Sequence, residues 1–267
     1  MTIRFARWRD PDRRTSIPFV ERADQSVEPA KTRWQLDSVH GRHLERMWDH
    51  RAGSWEHHGS AGLGQVVEAV LAAAGAEAGT TTVDLGCGTG ELALPLAQKG
   101  AHVTAVDISA AMVRRLEEKA ADAQLDTVVG VVSSMEAFHL PPESVDLVVS
   151  NYALHHLRDR DKELLVRAAA QWLRPGGRMV VGDMMFGRGA TARDRAIITS
   201  KIAVLARRGP AGWWRLAKNV GRFTFRLQER PVAMETWRQW FEDAGFEDVS
   251  TVPVVSEAAV IVGTKPI

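Results

Sequence analysis

One cysteine, one tyrosine and no long apolar run set the first limits on this chain of 267 residues. A single thiol, Cys87, excludes an internal disulfide framework. No apolar stretch approaches the ~20 residues that cross a bilayer as a helix. The N-terminus mixes Arg, Asp and Trp where a secretory signal would carry an apolar core, so a cytoplasmic protein is expected. Internal repeats and low-complexity segments are also lacking. Net charge is only +1, yet residues 187–230 hold eleven Arg or Lys against two acids, Asp194 and Glu229, a balance of +9. The remainder of the chain is correspondingly acidic. An apolar fraction of 45% is ordinary for a globular protein, and the length suits one large domain with additions.

What the chain does have is a glycine turn between an apolar strand and a helix. Residues 83–90 read Val-Asp-Leu-Gly-Cys-Gly-Thr-Gly, followed by Glu91-Leu-Ala-Leu-Pro-Leu-Ala97. Gly86, Gly88 and Gly90 allow positive φ and leave no Cβ between a ligand and the backbone. The first N–H groups of the helix face whatever lies there. Asp107 ends the next strand, Val103-Thr-Ala-Val-Asp107, where a carboxylate can accept hydrogen bonds from two vicinal ribose hydroxyls. Acids at that place also serve dinucleotide folds, and glycines alone are a weak signal. The spacing here is Gly-x-Gly-x-Gly rather than Gly-x-Gly-x-x-Gly, and Asp84 suits an ammonium group better than a pyrophosphate. The pair of segments fits a nucleoside attached to a charged amino-acid tail. Cys87 reads as a small filler within the turn rather than a nucleophile.

The organisation around the turn is regular. Residues 1–35, polar and Arg-rich, read as a loose arm or irregular cover. Helical spacing runs from Leu36 through Leu44 and Met47 to about Trp48, and a second helix is predicted over 62–74, closed by Gly75 and Gly79. Strands are predicted at 81–85, 102–107, 127–132, 145–150 and 178–184. Helices are predicted at 90–98, at 109–122 with Ser109 as N-cap, and at 160–173. A helix over 235–244, stopped by Gly245, and strands at 247–253 and 257–264 complete the chain. Such alternation predicts an α/β fold with a parallel sheet covered on both faces and a ligand site beyond the carboxyl ends of the strands. Four regions result: 1–60, an arm with lid helices; 61–186, a binding core; 187–232, a basic helical lid insertion; and 233–267, a helix and hairpin completing the core.

Together with Ser134-Met-Glu136, Val145-Asp-Leu-Val-Val-Ser-Asn-Tyr-Ala-Leu-His-His-Leu157, Leu173-Arg-Pro-Gly-Gly177 and Ala244-Gly-Phe246, the turn resembles the class I S-adenosylmethionine-dependent methyltransferases over roughly residues 45–265. The resemblance implies a Rossmann-like sandwich with a mostly parallel seven-stranded sheet, an antiparallel last strand and a helical lid. It implies S-adenosylmethionine as cofactor, leaving as S-adenosylhomocysteine. The cofactor site it implies comprises Asp84, Gly86, Cys87, Gly88, Gly90, Asp107, Ile108, Met112, Ser134, Met135, Glu136 and Asn151. In that reading Asp84 and the glycine backbone hold the methionine portion, Asp107 binds the ribose and Ile108 packs on the adenine. Ser134-Met135 meets the adenine edge, and Asn151 passes beneath the methionine towards the methyl. Many relatives carry Asp in place of Ser134, whose hydroxyl makes a weaker contact with the adenine amino group.

Methyl transfer from a sulfonium is a direct displacement, so the enzyme mainly aligns the partners and excludes water. A general base helps when the acceptor is a hydroxyl or a protonated amine. His155 and His156, just beyond a strand end, are the candidates for that base; the competing reading has one capping the loop and the other packing. Tyr152 is a rival for substrate contact. Trp48-Asp-His-Arg-Ala-Gly-Ser-Trp55 matches the aromatic-rich stretch that closes over the donor in many relatives, which makes Trp55 and His57 candidates for the pocket wall, against ordinary packing. Five of the nine histidines, His40, His43, His50, His57 and His58, fall within nineteen residues. No Cys accompanies them and the resembled family needs no metal, so none is expected.

The basic segment reads as two helices broken at Gly209-Pro210. In the second, Trp213 and Trp214 interleave with Arg215, Lys218 and Arg222, which makes the two tryptophans candidate substrate contacts. Basic amphipathic helices with Trp suit an anionic membrane surface and equally an anionic small molecule or a nucleic acid; the plain alternative is the solvated outer face of a lid. The expected function is methyl transfer to an O, N or C atom of a small, apolar or anionic molecule, with general similarity to the quinone-biosynthetic methyltransferases. An RNA-modifying or RNA-binding protein is the alternative, although nucleic acid is the less favoured partner. A donor-binding regulator without turnover and, at the level of fold, a nicotinamide oxidoreductase are the other readings. Ser150-Asn-Tyr-Ala153 stands where amino-methylating enzymes of DNA and glutamine carry Asn-Pro-Pro-Tyr, and no acidic cluster of the magnesium-dependent catechol type is present. The chain is expected to act on a small-molecule substrate, with peripheral contact to an anionic membrane, as a monomer or homodimer.

Overall fold

The computed structural model describes residues 5–8, 17–20, 45–49, 61–187, 192, 194–196, 199 and 230–267. Its centre is a seven-stranded sheet made of β3 (Thr81–Leu85), β4 (His102–Asp107), β5 (Val128–Val132), β6 (Val145–Asn151), β7 (Leu173–Met184), β8 (Glu247–Pro253) and β9 (Ala258–Thr264). Spatial order is β5-β4-β3-β6-β7-β9-β8. Strands β3 to β7 pair in parallel. Only β9 runs against them, pairing antiparallel with both β7 and β8. The final hairpin therefore lies with its second strand inside the sheet and its first strand at the edge. Composition explains that order: Ala-Ala-Val-Ile-Val in β9 is almost wholly buried, whereas Glu247 to Pro253 alternates towards solvent.

Helices α1 (Ala61–Ala74), α2 (Ala93–Gln98), α3 (Ala110–Asp122), α4 (Asp159–Trp172) and α5 (Met234–Asp243) cover the sheet. The period of two along each strand divides the core into two layers. Leu147 and Val149 of β6, Val180 of β7 and Val260 of β9 meet Val66 and Val70 of α1 and Leu96 of α2. Val148, Val181 and Ile261 face the other way, onto Leu165 and Val166 of α4 and Trp237 and Phe241 of α5. Ser109 caps α3 as predicted, its side chain accepting from the Met112 N–H. Gly245 ends α5 at φ +87°, its N–H donating to the Glu242 carbonyl.

Three expectations are adjusted. The helix predicted from residue 90 begins at Ala93, because residues 86–92 form turns and Gly90 stands at φ +99°. Strand β7 starts at Leu173, five residues before the prediction. Leu173 pairs with Val145 and Arg178 with Leu147, and the intervening Arg-Pro-Gly-Gly bulges out at the register shift. Residues 1–35 are not wholly irregular: β1 (Phe5–Trp8) and β2 (Ile17–Val20) pair antiparallel, Phe5 opposite Val20, as their aromatic and β-branched residues favour. The helix predicted over 36–48 is described only at 45–49, where it is helical. Of the basic insertion, residues 192, 194–196 and 199 are helical; the break at Gly209-Pro210 and residues Arg215, Lys218 and Arg222 lie outside the described residues. Among those described, no helix is long and apolar enough to cross a membrane.

Candidate active site

Sheet order reverses between β3 and β6, since β4 and β5 lie on one side of β3 and β6, β7 and β9 on the other. Loops leaving the carboxyl ends of neighbouring strands diverge there and leave a crevice. A cavity of about 560 Å³ occupies it. Asp84, Gly86, Cys87, Gly88, Asp107, Ile108, Met112, Ser134, Met135, Glu136 and Asn151 all line its wall. Gly90 is not on that wall. A Cβ there would stand 2.5 Å from Leu116 Cδ1 and 2.9 Å from Leu94 Cγ, so its glycine serves the packing of the turn against α2 and α3.

The turn is held by the strand beside it: the N–H groups of Gly86 and Cys87 both donate to the Val106 carbonyl, at 2.8 and 3.0 Å. Gly86 has φ +74°, and a Cβ there would lie 2.3 Å from Ala153 Cβ, so the backbones of the two walls approach as only glycine permits. Asp107 accepts from the Gly88 N–H at 2.9 Å through Oδ2 and from the Ser109 N–H at 2.9 Å through Oδ1. Each oxygen retains a lone pair for a ligand hydroxyl. Burial raises the Asp107 pKa, opposed by the backbone N–H groups of Ser109, Gly88 and Ile108.

Asp84 is the most perturbed acid of the site. Burial, followed by the nearby charge of Asp107, raises its pKa from 3.8 to about 8; the Ala93 N–H opposes that rise and Glu91 adds to it. Asp84 Oδ2 is buried with no hydrogen-bond partner, and so is Asn151 Oδ1. Two orphan acceptors on one cavity wall ask for a donor that the protein does not supply. The Cys87 thiol is buried, and burial together with Asp107 and Asp84 pushes its pKa well up, which keeps it protonated and unreactive.

Trp48, Tyr152, His156, Leu157, Arg158, Asp161 and Arg230 also line the cavity. Tyr152 has φ +48°, an uncommon conformation for a bulky side chain, and its N–H donates to the Gly182 carbonyl at 2.8 Å. Burial, with Glu257 and Asp183 nearby, pushes its phenol up to about 12. The two adjacent histidines part company. His156 lines the cavity, with its ring edge-on to Trp48 at 5.3 Å. His155 is buried behind it, and its Nδ1 lies 2.6 Å from Asp183 Oδ1. Trp55, His57, Trp213 and Trp214 lie outside the described residues.

Three residues that support this site were passed over in the sequence reading, and only Asp183 carries a local signal. Asp183 ends an apolar strand in Met-Val-Val-Gly-Asp183, the same sign that marked Asp84 and Asp107. Asp49 accepts from Ser109 Oγ at 2.6 Å and from the Ala111 N–H at 3.3 Å. It thereby places a negative charge at the start of α3, where the helix dipole favours one, and seats Trp48 at the cavity. Lys162 is fully buried. Its ammonium bonds the Arg230 carbonyl and, at 3.2 Å, Asp159 Oδ1. Nothing in an amphipathic helix distinguishes such a lysine from an exposed one.

Fold and crevice together define a Rossmann-like nucleoside-binding protein whose site carries carboxylates where a dinucleotide would bring phosphates. The family described as "Methyltransferase domain" matches residues 82–177. An uncharacterised methyltransferase of Geobacillus sp. (strain WCH70) is 30% identical over 179 residues, which span 67% of this chain and 75% of that protein. Two further Geobacillus methyltransferases are matched over 53% and 60% of their length. The 27-O-demethylrifamycin SV methyltransferase of Amycolatopsis mediterranei is 40% identical over 111 residues, 40% of each chain. In structure, magnesium protoporphyrin IX methyltransferase from Synechocystis PCC 6803, solved with bound S-adenosylhomocysteine, superposes with TM-score 0.60 at 16% identity, covering 85% of this chain and 99% of that one. The chain belongs to the class I S-adenosylmethionine-dependent methyltransferases. Its cofactor is S-adenosylmethionine.

Proposed function

We propose that this methyltransferase transfers its methyl group to an O, N or C atom of a small apolar or anionic molecule seated between Trp48, Tyr152 and His156. The carrying observation is the pair of buried orphan acceptors, Asp84 Oδ2 and Asn151 Oδ1, on one cavity wall. An ammonium group supplies the missing donor to Asp84 and turns it from a costly buried acid into a partnered carboxylate. With the amino-acid end fixed there, Asp107 takes the ribose, and Ile108, Met112 and Met135 offer apolar surface to the adenine. Ser134 and Glu136 line the same cavity.

Bound S-adenosylmethionine supplies an electrophilic methyl that needs no further activation. The protein's share is alignment and dryness. The aromatic rings at the far end suit a flat or apolar acceptor. Arg158 and Arg230 on the same wall suit one bearing negative charge. His156 is the base-type side chain on that wall. His155, engaged by Asp183, is not on it. In relatives the acceptors named range as far as a rifamycin and a magnesium porphyrin, so the acceptor here is to be found by experiment. Calorimetric titration with S-adenosylmethionine and S-adenosylhomocysteine, with NADH as control, tests the donor site. Micromolar binding of both sulfur compounds and none of NADH is expected. A methyl-transfer screen over phenols, quinones, carboxylic acids and lipids, with RNA and protein as competing acceptors, then tests the acceptor class. Exclusive methylation of RNA or protein in that screen would overturn it.

A further inference from the structure

We propose that Asp183, acting through His155, is a positioning residue for His156, the imidazole that faces the methyl acceptor. This rests on the reading above that the acceptor lies at the His156 end of the cavity.

Asp183 is fully buried near the end of β7 and takes no part in the cavity wall. Its carboxylate accepts three hydrogen bonds. They come from the His155 N–H at 2.8 Å, from His155 Nδ1 at 2.6 Å and from the Met184 N–H at 2.7 Å. Burial works to raise its pKa, but His155, the Met184 N–H and Lys162 outweigh it and hold the carboxyl below its ordinary value. An ionised carboxylate only accepts, so the proton between the two side chains sits on His155 Nδ1. His155 is thereby fixed in backbone, ring orientation and tautomer at once. Its ring in turn lies 4.1 Å from that of His156, tilted by 48°, and His156 also meets Trp48 edge-on at 5.3 Å. The imidazole on the cavity wall thus touches both a ring locked by Asp183 and the indole next to Asp49.

A simple cap for the 3₁₀ turn Leu154–His156 would need only an acceptor for the His155 and Met184 N–H groups. The ring contact at Nδ1 goes beyond capping. It places an ion in the core where the preceding strand positions are Val180 and Val181, a placement that costs free energy unless the ion is well partnered. An aspartate that fixes a histidine tautomer through Nδ1 is a known device for presenting an imidazole.

The test uses histidine-labelled protein and nitrogen-15 and proton NMR. Two probes are compared: S-adenosylhomocysteine and sinefungin, which carries an amine where S-adenosylmethionine carries its methyl. In the wild type, a downfield His155 Nδ1 proton and a His156 ring signal that differs between the two probes are expected. Asp183→Asn should move the Nδ1 proton upfield and abolish the His156 difference, with the affinity for S-adenosylhomocysteine retained. A His156 ring that still distinguishes the probes in Asp183→Asn overturns the proposal. A wild-type His155 carrying its proton on Nε2 overturns it without any variant, so the test stands even if Asp183→Asn does not fold. A wild-type His156 that cannot tell the probes apart overturns the acceptor-end reading itself, which separates the two failures.

Discussion

Lowering the pH from 7.5 to 6 is expected to weaken S-adenosylhomocysteine binding substantially, because Asp84 must shed a proton to hold the ligand's ammonium group. Its pKa is raised to about 8 by burial first and by the charge of Asp107 second. Roughly 1% of it is then ionised at pH 6 and roughly a quarter at pH 7.5, a gain in affinity of about 25-fold over that interval. Nearly one proton should leave for each ligand bound at pH 6.5, read from calorimetry in two buffers of different ionisation enthalpy. Stability of the ligand-free protein runs the other way. The folded-state pKa lies above the unfolded value, so the contribution of Asp84 is fully present below about pH 4 and is lost as the pH rises through about 8. Ligand-induced stabilisation should therefore grow with pH while the unliganded protein weakens. Asp84→Asn should bind poorly and with little dependence on pH. An affinity that stays flat from pH 6 to 7.5 in the wild type, with no proton released, refutes the assignment of Asp84 to the ammonium.

Three further outcomes follow from the same geometry. Asp107→Asn removes the charge that would receive the ribose and is expected to raise the donor dissociation constant about tenfold or more, as loss of a charge-assisted hydrogen bond does, measured by the same titration. In Gly86→Ala the new Cβ would stand 2.3 Å from Ala153 Cβ at a φ of +74°; donor binding should be lost while the far-ultraviolet circular dichroism persists. Lys162→Met leaves the buried Arg230 carbonyl without its ammonium donor, at a cost of about 2 kcal/mol, visible as a lower urea midpoint.

That the glycine turn and the strand-end acids line one crevice was legible from local sequence. A glycine turn and acids at the ends of two apolar strands need no tertiary knowledge to interpret. The parallel body of the sheet was legible because apolar strands alternate with amphipathic helices, whereas the antiparallel final hairpin was expected only from the family resemblance. The acceptor half of the crevice was not legible. Between His155 and His156 the sequence offers no choice; only the position of Asp183, contributed by a strand 28 residues further on, turns one ring inward to a carboxylate and leaves the other on the cavity wall. Lys162 reads as a surface lysine on α4 until the returning chain at Arg230 covers it. Asp49 reaches Ser109 across 60 positions. Each of these is a polar contact between distant segments, and short-range periodicity carries no information about such contacts.

Both ends of the basic insertion are tied to one short piece of the core. The outgoing chain packs Met184 and Phe186 against Tyr152 before the Gly187 N–H meets Asp194. The returning chain bonds the Arg230 N–H to the His155 carbonyl at 2.7 Å, and Lys162 secures the Arg230 carbonyl. Neither the glycine turn nor Asp107 takes part in these anchoring contacts. The protein is thus built like a tool with a fixed handle and an exchangeable head. A lineage could lengthen, shorten or recharge everything between those two anchors, and so change what is methylated, without disturbing the grip on the methyl donor.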